Sequence, residues 1–386
     1  MKQPVLIMAI GDTFIDRDLE DSPFSEVEGI LRSGDFTIAN NEGVYCDTTE
    51  PVPNASFPLI SSTGMVKLLD NTGIEVVSLA NNHALDGGYT GLRSTLEALA
   101  SIGIKTIGAG QNLEKARCPV EVSRKGNTFG ILSFTAVFPQ GYEARQGLPG
   151  VSPLRTYDFY AHPDAKSWSP GIIPQVITLM DEHDSQQISE SIMKLKQNVD
   201  YVIVCAHWGD STKPSVITDF ERNAAHMCID SGADIVIGHH HHSLRGIEFH
   251  DGKPILYGLG NFLMDVPNVS NRLKMQTEID DTTISSISEQ IGDFGIWERQ
   301  GYPTYPYPPE CRYTAVFLLE VSDLGIRVGI APCIIGNDGK PRASKNDSNK
   351  DVVDYFLSCT KQANLPQLKL ERSALEGFDI LWIFGR

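Results

Sequence analysis

The chain has 386 residues, 41% of them hydrophobic and 21% charged, a balance that supports a packed globular core and excludes disordered, collagen-like and coiled-coil classes. With 32 basic and 49 acidic residues the net charge is −17, which argues against sequence-independent binding to nucleic acid or to anionic membranes. An anionic substrate remains compatible with this charge where metal cations supply a local positive field.

The elements follow in chain order. Val5 to Ile10 reads as a buried strand; it is too short to span a membrane and ends in Gly11-Asp12 rather than at a cleavage site. Phe24 to Leu31 predicts a short helix, and Phe36 to Ala39 a strand ending at Asn40-Asn41-Glu42. Met65 to Asp70 predicts a helix, then Ile74 to Ala80 a β-branched strand ending at Asn81-Asn82-His83. Leu92, Leu96, Leu99 and Ile102 recur at helical spacing. Strand patterns return at 105–107, 119–123 and 130–134, then at Tyr201 to Ala206, which ends at His207-Trp208-Gly209. A helix over Phe220 to Asp230 precedes strands at Ile235 to Ile237 and Ile255 to Leu259. A hairpin over 313–334, a helix near Val352 to Cys359 and an apolar terminal strand at 380–384 complete the chain. This alternation predicts an α/β layered fold with parallel strand pairs and helices covering the faces. Residues 138–175 and 265–311, rich in Gly, Pro and aromatics, read as surface excursions from a domain over 1–335, with 336–386 as a C-terminal extension packing on it. The seven scattered cysteines and the absence of a signal or spanning segment predict reduced thiols in a cytoplasmic protein.

Polar residues collect where the apolar strands stop. In open α/β sheets ligands bind outside the carboxyl ends of strands, so five strand ends offer Asp, Glu, Asn and His to one edge. This oxygen and imidazole set suits Mn, Fe, Zn or Ni and fits Ca poorly. The run His239-His240-His241-His242 is internal and carries the strongest metal signal. In an extended segment alternate residues face one way, so His240 and His242 share one side and His239 and His241 the other.

Gly11-Asp12 with Arg17, Asn41-Glu42, Leu79-Ala80-Asn81-Asn82-His83 with Asp86, Gly108-Ala109-Gly110, His207-Trp208-Gly209, Gly232 to His242, and Tyr257 to Phe262 together resemble the CapA family of bacterial poly-gamma-glutamate capsule synthesis, over roughly residues 5–265. That family is similar to the calcineurin-like metallophosphoesterases. The resemblance implies a four-layer αββα sandwich holding two divalent metal ions (Mn, Fe or Zn). It implies Asp12 as a ligand of the first metal, Glu42 at the bridging position, Asn82 as a ligand of the second, His83 as proton donor, and His207, His240 and His242 as imidazole ligands. The alternative register of the last pair is His239 and His241. The chain departs from the wider superfamily at Phe14, where a His is usual, and at Asp210-Ser211, where CapA relatives often carry Glu. Arg17 either clamps an anionic substrate group or pairs with Asp16 or Asp18. Asp86 either orients His83 or caps the next helix. Asn41, Trp208 and Asn261 are candidate substrate contacts, with core packing the alternative for Trp208, and with a hydrogen bond to a ligand or turn stabilisation the alternatives for Asn261. The expected activity is metal-dependent hydrolysis of a phosphoester, an amide or an ester. The alternatives are a non-hydrolytic accessory of polyglutamate assembly that binds an anionic polymer, and a binding module without catalysis.

Overall fold

Continuous apolar runs become strands buried on both faces, and side-chain alternation divides each strand between two cores. The computed structural model describes residues 2–17, 22–52, 55, 57–161, 174–213, 215–269, 272 and 295–384. Strand Val5–Phe14 lies inside a ten-stranded mixed sheet. On one side it pairs in parallel with Phe36–Asn41, followed by Ile74–Ser78 and Lys105–Ile107. On the other it meets Tyr313–Ser322 antiparallel, then Gly325–Ile335, Phe378–Phe384 and Lys369–Leu375. The apolar end of the chain is thus an internal strand of this sheet. The second sheet has six strands. Asn127–Thr135, Tyr201–His207, Ile235–His239 and Lys253–Leu256 run parallel, flanked by antiparallel Val120–Arg124 and Ile247–His250.

Three buried clusters position these sheets. Ile7, Ala9, Ile38 and Phe317 of the first share one cluster with Phe129, Ile203, Cys205 and Ile237 of the second. The alternate residues Met8 and Ile10 face a cluster that contains Leu92 and Leu99 of helix Gly88–Ser101. Val202, Val204 and Val236 face Ile188 and Ile192 of helix Glu182–Lys196 and Ala224 and Cys228 of helix Asp219–Asp230. Helices therefore cover the outer face of each sheet, and the inner faces share a core with each other, into which helix Lys350–Gln362 also packs through Val352, Val353 and Phe356. The expectation of helices on both faces thus holds only in part, because most of each inner face meets the other sheet.

Other differences are local. The segment expected as a helix at Met65 to Asp70 is a 3-10 helix, Thr63–Leu69, and only Glu28–Arg32 of the first predicted helix is α-helical. Such short stretches do not repay α-helix nucleation without strong packing. Thr156–Ala161 and Gln175–Met180 form a separate two-stranded hairpin. Residues 162–173, including Trp168 to Pro170, and most of 270–294 lie outside the described residues. Within the second predicted excursion, Tyr305 and Tyr307 are buried rather than on the surface. All seven cysteines are free thiols, with only Cys118 exposed. Among the described residues no helix is long and apolar enough to cross a membrane.

Candidate metal centre

Strand register assembles the site. Parallel pairing sets Asp12 opposite both Asn40 and Asn261, and His207 opposite His239. The ladder shifts between Ala9 and Asp12 and again after Asp12. Gly11 permits this crowding, because a Cβ there would stand 1.8 Å from the Gly260 carbonyl oxygen.

Asp12 and Glu42 are fully buried. The Asn40 amide donates to Asp12 Oδ1 at 2.8 Å and to Glu42 Oε2 at 3.3 Å, clasping the two carboxyls. Asn40 is held in turn by Asn81, whose amide donates to Asn40 Oδ1 at 3.2 Å and to the Asn41 carbonyl at 2.8 Å. The other two carboxyl oxygens, Asp12 Oδ2 and Glu42 Oε1, are buried with no hydrogen-bond partner. His242 Nδ1 lies 3.4 Å from Asp12 Oδ2, and His242 Nε2 3.9 Å from Glu42 Oε1. His207 Nε2 lies 3.8 Å from the same Glu42 oxygen and 2.8 Å from Asn82 Oδ1. The rings of His207 and His240 are 4.8 Å apart. Two groups of potential ligands result, Asp12–Glu42–His242 and Glu42–His207–His240, each with its ligand atoms within 4.8 Å of one another. Glu42 belongs to both, and Asn82 adjoins the second.

The electrostatics of this cluster suit cations. Burial, then the neighbouring Asp12 charge, pushes the Glu42 carboxyl well above the ordinary range. Burial also opposes ionisation of Asp12, but the nearby His242 and His239 imidazoles outweigh it and hold Asp12 below its ordinary value. Burial, then mutual repulsion within the cluster, holds His207 and His240 well below the usual imidazole range, in the neutral form that a ligand requires. Unpartnered buried carboxylate oxygens are costly unless a cation or proton satisfies them. The residues present therefore fit divalent metal ions.

The four histidines divide by backbone rather than by strand alternation. The strand stops at His239, and His240 and His242 take left-handed φ values of 96° and 56°. These two reach the carboxyls. His239 Nε2 faces the Ile10 carbonyl at 3.5 Å, and His241 Nε2 donates to buried Glu221 Oε1 at 2.8 Å. The division of His240 and His242 from His239 and His241 thus rests on left-handed backbone and not on strand alternation.

His83 sits beside the cluster. Its Nδ1 bonds Asp86 Oδ2 at 2.7 Å, and its backbone N–H donates to Asn81 Oδ1 at 3.1 Å. Asp86 also accepts from the Leu59 N–H and the Tyr142 hydroxyl. Helix Gly88–Ser101 has no side-chain cap, so Asp86 serves His83 instead.

Two sequence expectations are corrected, those for Arg17 and Trp208. Arg17 is not available as an anion clamp, nor does it pair with Asp16. Its guanidinium binds both Asp265 oxygens and the Asp338 carbonyl, while Asp16 pairs with Arg272. Asp18 lies outside the described residues. Trp208 is no substrate wall: it is fully buried, edge-on to Phe134, with its indole N–H donating to the Tyr257 carbonyl. Asn41 is fully buried and donates to the Gly43 carbonyl, while its Oδ1 has no hydrogen-bond partner. Both ends of the Asn261 amide are engaged, by His242 Nδ1 at 2.9 Å and by the Tyr305 hydroxyl at 2.9 Å. It orients His242, leaving His242 Nε2 as the lone-pair nitrogen.

Asn40, Glu221 and Tyr307 were not singled out from sequence. Asn40 had a signal: in a strand it shares a face with Glu42 two residues on, whereas Asn41 does not. The Thr218–Glu221 capping box is legible as a helix start, but the bond from Glu221 to His241 is not. Tyr307, with its ring 4.8 Å from that of His242, comes from a distant Pro/Tyr-rich run. It lines a cavity of about 360 Å³ beside the cluster, together with His242, Ser243, Thr212 and Trp297.

This mixed α/β fold with buried carboxylate–imidazole groups at parallel strand ends carries possible divalent-metal sites. The model of the bacterial capsule synthesis protein PGA_cap family matches residues 6–266, and the chain belongs to that family, a relative of the calcineurin-like metallophosphoesterases. It is 32% identical over 266 residues to the PGA biosynthesis protein CapA of Bacillus subtilis, covering 66% of this chain and 62% of that one. It is also 32% identical over 212 residues to a probable polyglutamine synthesis accessory protein of Mycobacterium tuberculosis, covering 53% and 49%. The chain thus spans less than two thirds of the length of these relatives. Among solved structures it is similar to a putative 5'-nucleotidase from Staphylococcus aureus, at 10% identity and a TM-score of 0.44, over 92% of this chain and 58% of that one.

Proposed function

We propose that this chain is a dinuclear metal-dependent hydrolase acting on a phosphoester, with amides and esters as the other electrophiles of the same class. The carrying observation is that Glu42 belongs to both ligand groups while its Oε1 and Asp12 Oδ2 lack any hydrogen-bond partner. In this reading Asp12, Glu42 and His242 hold one ion, and Glu42, Asn82, His207 and His240 the other, with Mn, Fe or Zn as candidates. Two such cations supply Lewis-acid charge and acidify water. Asn40 keeps both carboxyls turned inward, and Asn261 fixes the His242 tautomer. His83 donates a proton to the leaving group from Nε2, because Asp86 engages its Nδ1. The 360 Å³ cavity beside Tyr307 admits the substrate. The three buried clusters support a four-layer αββα sandwich. The pairing of Phe378–Phe384 with Gly325–Ile335 supports residues 336–386 as an extension that packs on the main domain.

The test is turnover of a generic phosphodiester, bis(p-nitrophenyl) phosphate, by chelator-stripped protein resupplied with Mn. Metal-dependent turnover that His83→Ala reduces at least 100-fold supports the hydrolase. Equal inertness of wild type and His83→Ala toward phosphoesters, amides and esters refutes it. The second reading, a non-hydrolytic accessory that binds an anionic polymer, is favoured by the naming of the mycobacterial relative. It predicts metal-dependent polyglutamate binding without turnover.

A further inference from the structure

At the other end of the second sheet, a different set of side chains converges. His226 and Asp230 stand one turn apart on helix Asp219–Asp230, and Glu248 and His250 share one face of the edge strand Ile247–His250. His250 pairs with Lys253, where the parallel strand Lys253–Leu256 begins. This group therefore lies away from the carboxyl strand ends that carry Asp12 and His207. We propose that His226, Glu248 and His250 form a separate mononuclear site for a divalent late transition ion of the zinc class, with Asp230 as a further carboxylate.

The two imidazoles stack face to face, with centroids 4.0 Å apart and planes 8° apart. One ligand atom from each of His226, Glu248 and His250 lies within 4.8 Å of the others. Zinc–nitrogen bonds of about 2.0–2.1 Å in a tetrahedron need ligands roughly 3.3 Å apart. Because an ion bound at an imidazole nitrogen lies in the ring plane, binding requires the two rings to tilt out of their stack, and all three side chains are only partly buried and so have room to turn. Each imidazole already meets a carboxylate, His226 Nε2 to Glu248 Oε1 at 3.0 Å and His250 Nε2 to Asp230 Oδ1 at 2.9 Å. A divalent ion takes the place of the protons in these bonds. Glu248 is also braced from behind. Its Oε2 accepts from the Tyr257 hydroxyl at 2.6 Å and lies 3.7 Å from Arg222 Nη1, which leaves Oε1 for the ion. Such outer support is what orients a ligating carboxylate. Two imidazoles and a carboxylate, without sulfur, select Zn, Ni or Cu over Ca or Mg. The ion staples helix Asp219–Asp230, which also carries Glu221, to the edge of the sheet.

The experiment is equilibrium dialysis of the full, chelator-stripped chain against zinc chloride, with metal analysis and melting. Wild type should hold one zinc equivalent more than His226→Ala/His250→Ala. The variant Asp12→Asn/His240→Ala should keep one zinc, which is lost when the two alanines are added. Zinc affinity at this site should fall at least 100-fold in the double alanine variant, with the chelator-treated melting temperature unchanged. His250→Gln, near the end of a hairpin, carries the same test if the double variant does not fold, with at least a tenfold loss expected. Equal zinc content and equal zinc-induced stabilisation in wild type and either variant would overturn the proposal. Because the readout is the stoichiometry of each site separately, it stands apart from whether the main centre hydrolyses anything.

Discussion

Replacement of Gly209 by Ala tests how the four-histidine turn is held. Gly209 has φ +89°, and a Cβ there would lie 2.2 Å from His241 Nε2 and 2.7 Å from Glu221 Oε1. The backbone penalty for an L side chain in the left-handed region is about 1–2 kcal/mol. The steric penalty has no cheap relief, because both neighbours are fully buried and bonded to each other. Overpacking a filled core costs roughly 1–3 kcal/mol, so Gly209→Ala should destabilise the chain by about 2–5 kcal/mol. Gly141 supplies the control: its φ is +91° and nothing lies within 4 Å of its Cβ position. Gly141→Ala should therefore lose only the backbone contribution. Urea unfolding midpoints of both variants, measured after chelation, separate the two effects. Gly209→Ala should in addition weaken metal uptake, since displacement of His241 drags its neighbours His240 and His242. If Gly209→Ala is no more destabilising than Gly141→Ala, the buried His241–Glu221 pair does not fix this turn.

The remaining predictions concern charge. Glu42, held well above the ordinary carboxyl range by burial and then by Asp12, binds its proton more tightly folded than unfolded. Its stabilising contribution is present below the ordinary value of 4.5 and is lost as pH rises through the folded one, so the stability of the chelated protein should fall with rising pH in that window. Glu42→Gln should flatten this dependence while abolishing metal uptake; parallel unfolding curves for the two proteins would refute it. Asp86→Asn should lower kcat about 10–100-fold with metal content kept, because it unhooks the proton-donating imidazole rather than a ligand; kcat equal to wild type would exclude that role. Arg17→Ala should cost about 3–5 kcal/mol, because it strands buried Asp265, and should leave turnover per folded molecule unchanged. A selective loss of substrate affinity in this variant would restore Arg17 as an anion clamp.

The sequence by itself determined the strands and where they end. Apolar runs such as Val5 to Ile10 and Tyr201 to Ala206 must be buried, and the polar residues that follow them are covalently fixed at the strand ends. Asp12, Glu42, Asn82 and His207 could therefore be placed near strand ends before any coordinates, while their roles came from the family resemblance. The tertiary structure decided everything that depends on backbone handedness or on distant partners. His240 and His242 reach the carboxyls through left-handed turns, not through strand periodicity. Arg17 meets Asp265, which lies 248 residues away, and Trp208 turns into the core. Asn261 is turned toward Tyr305 by packing that no local pattern records. Local composition sets which side chains must be buried or placed at an edge, but the partner of a buried charge is chosen by the packing of segments far apart in the chain.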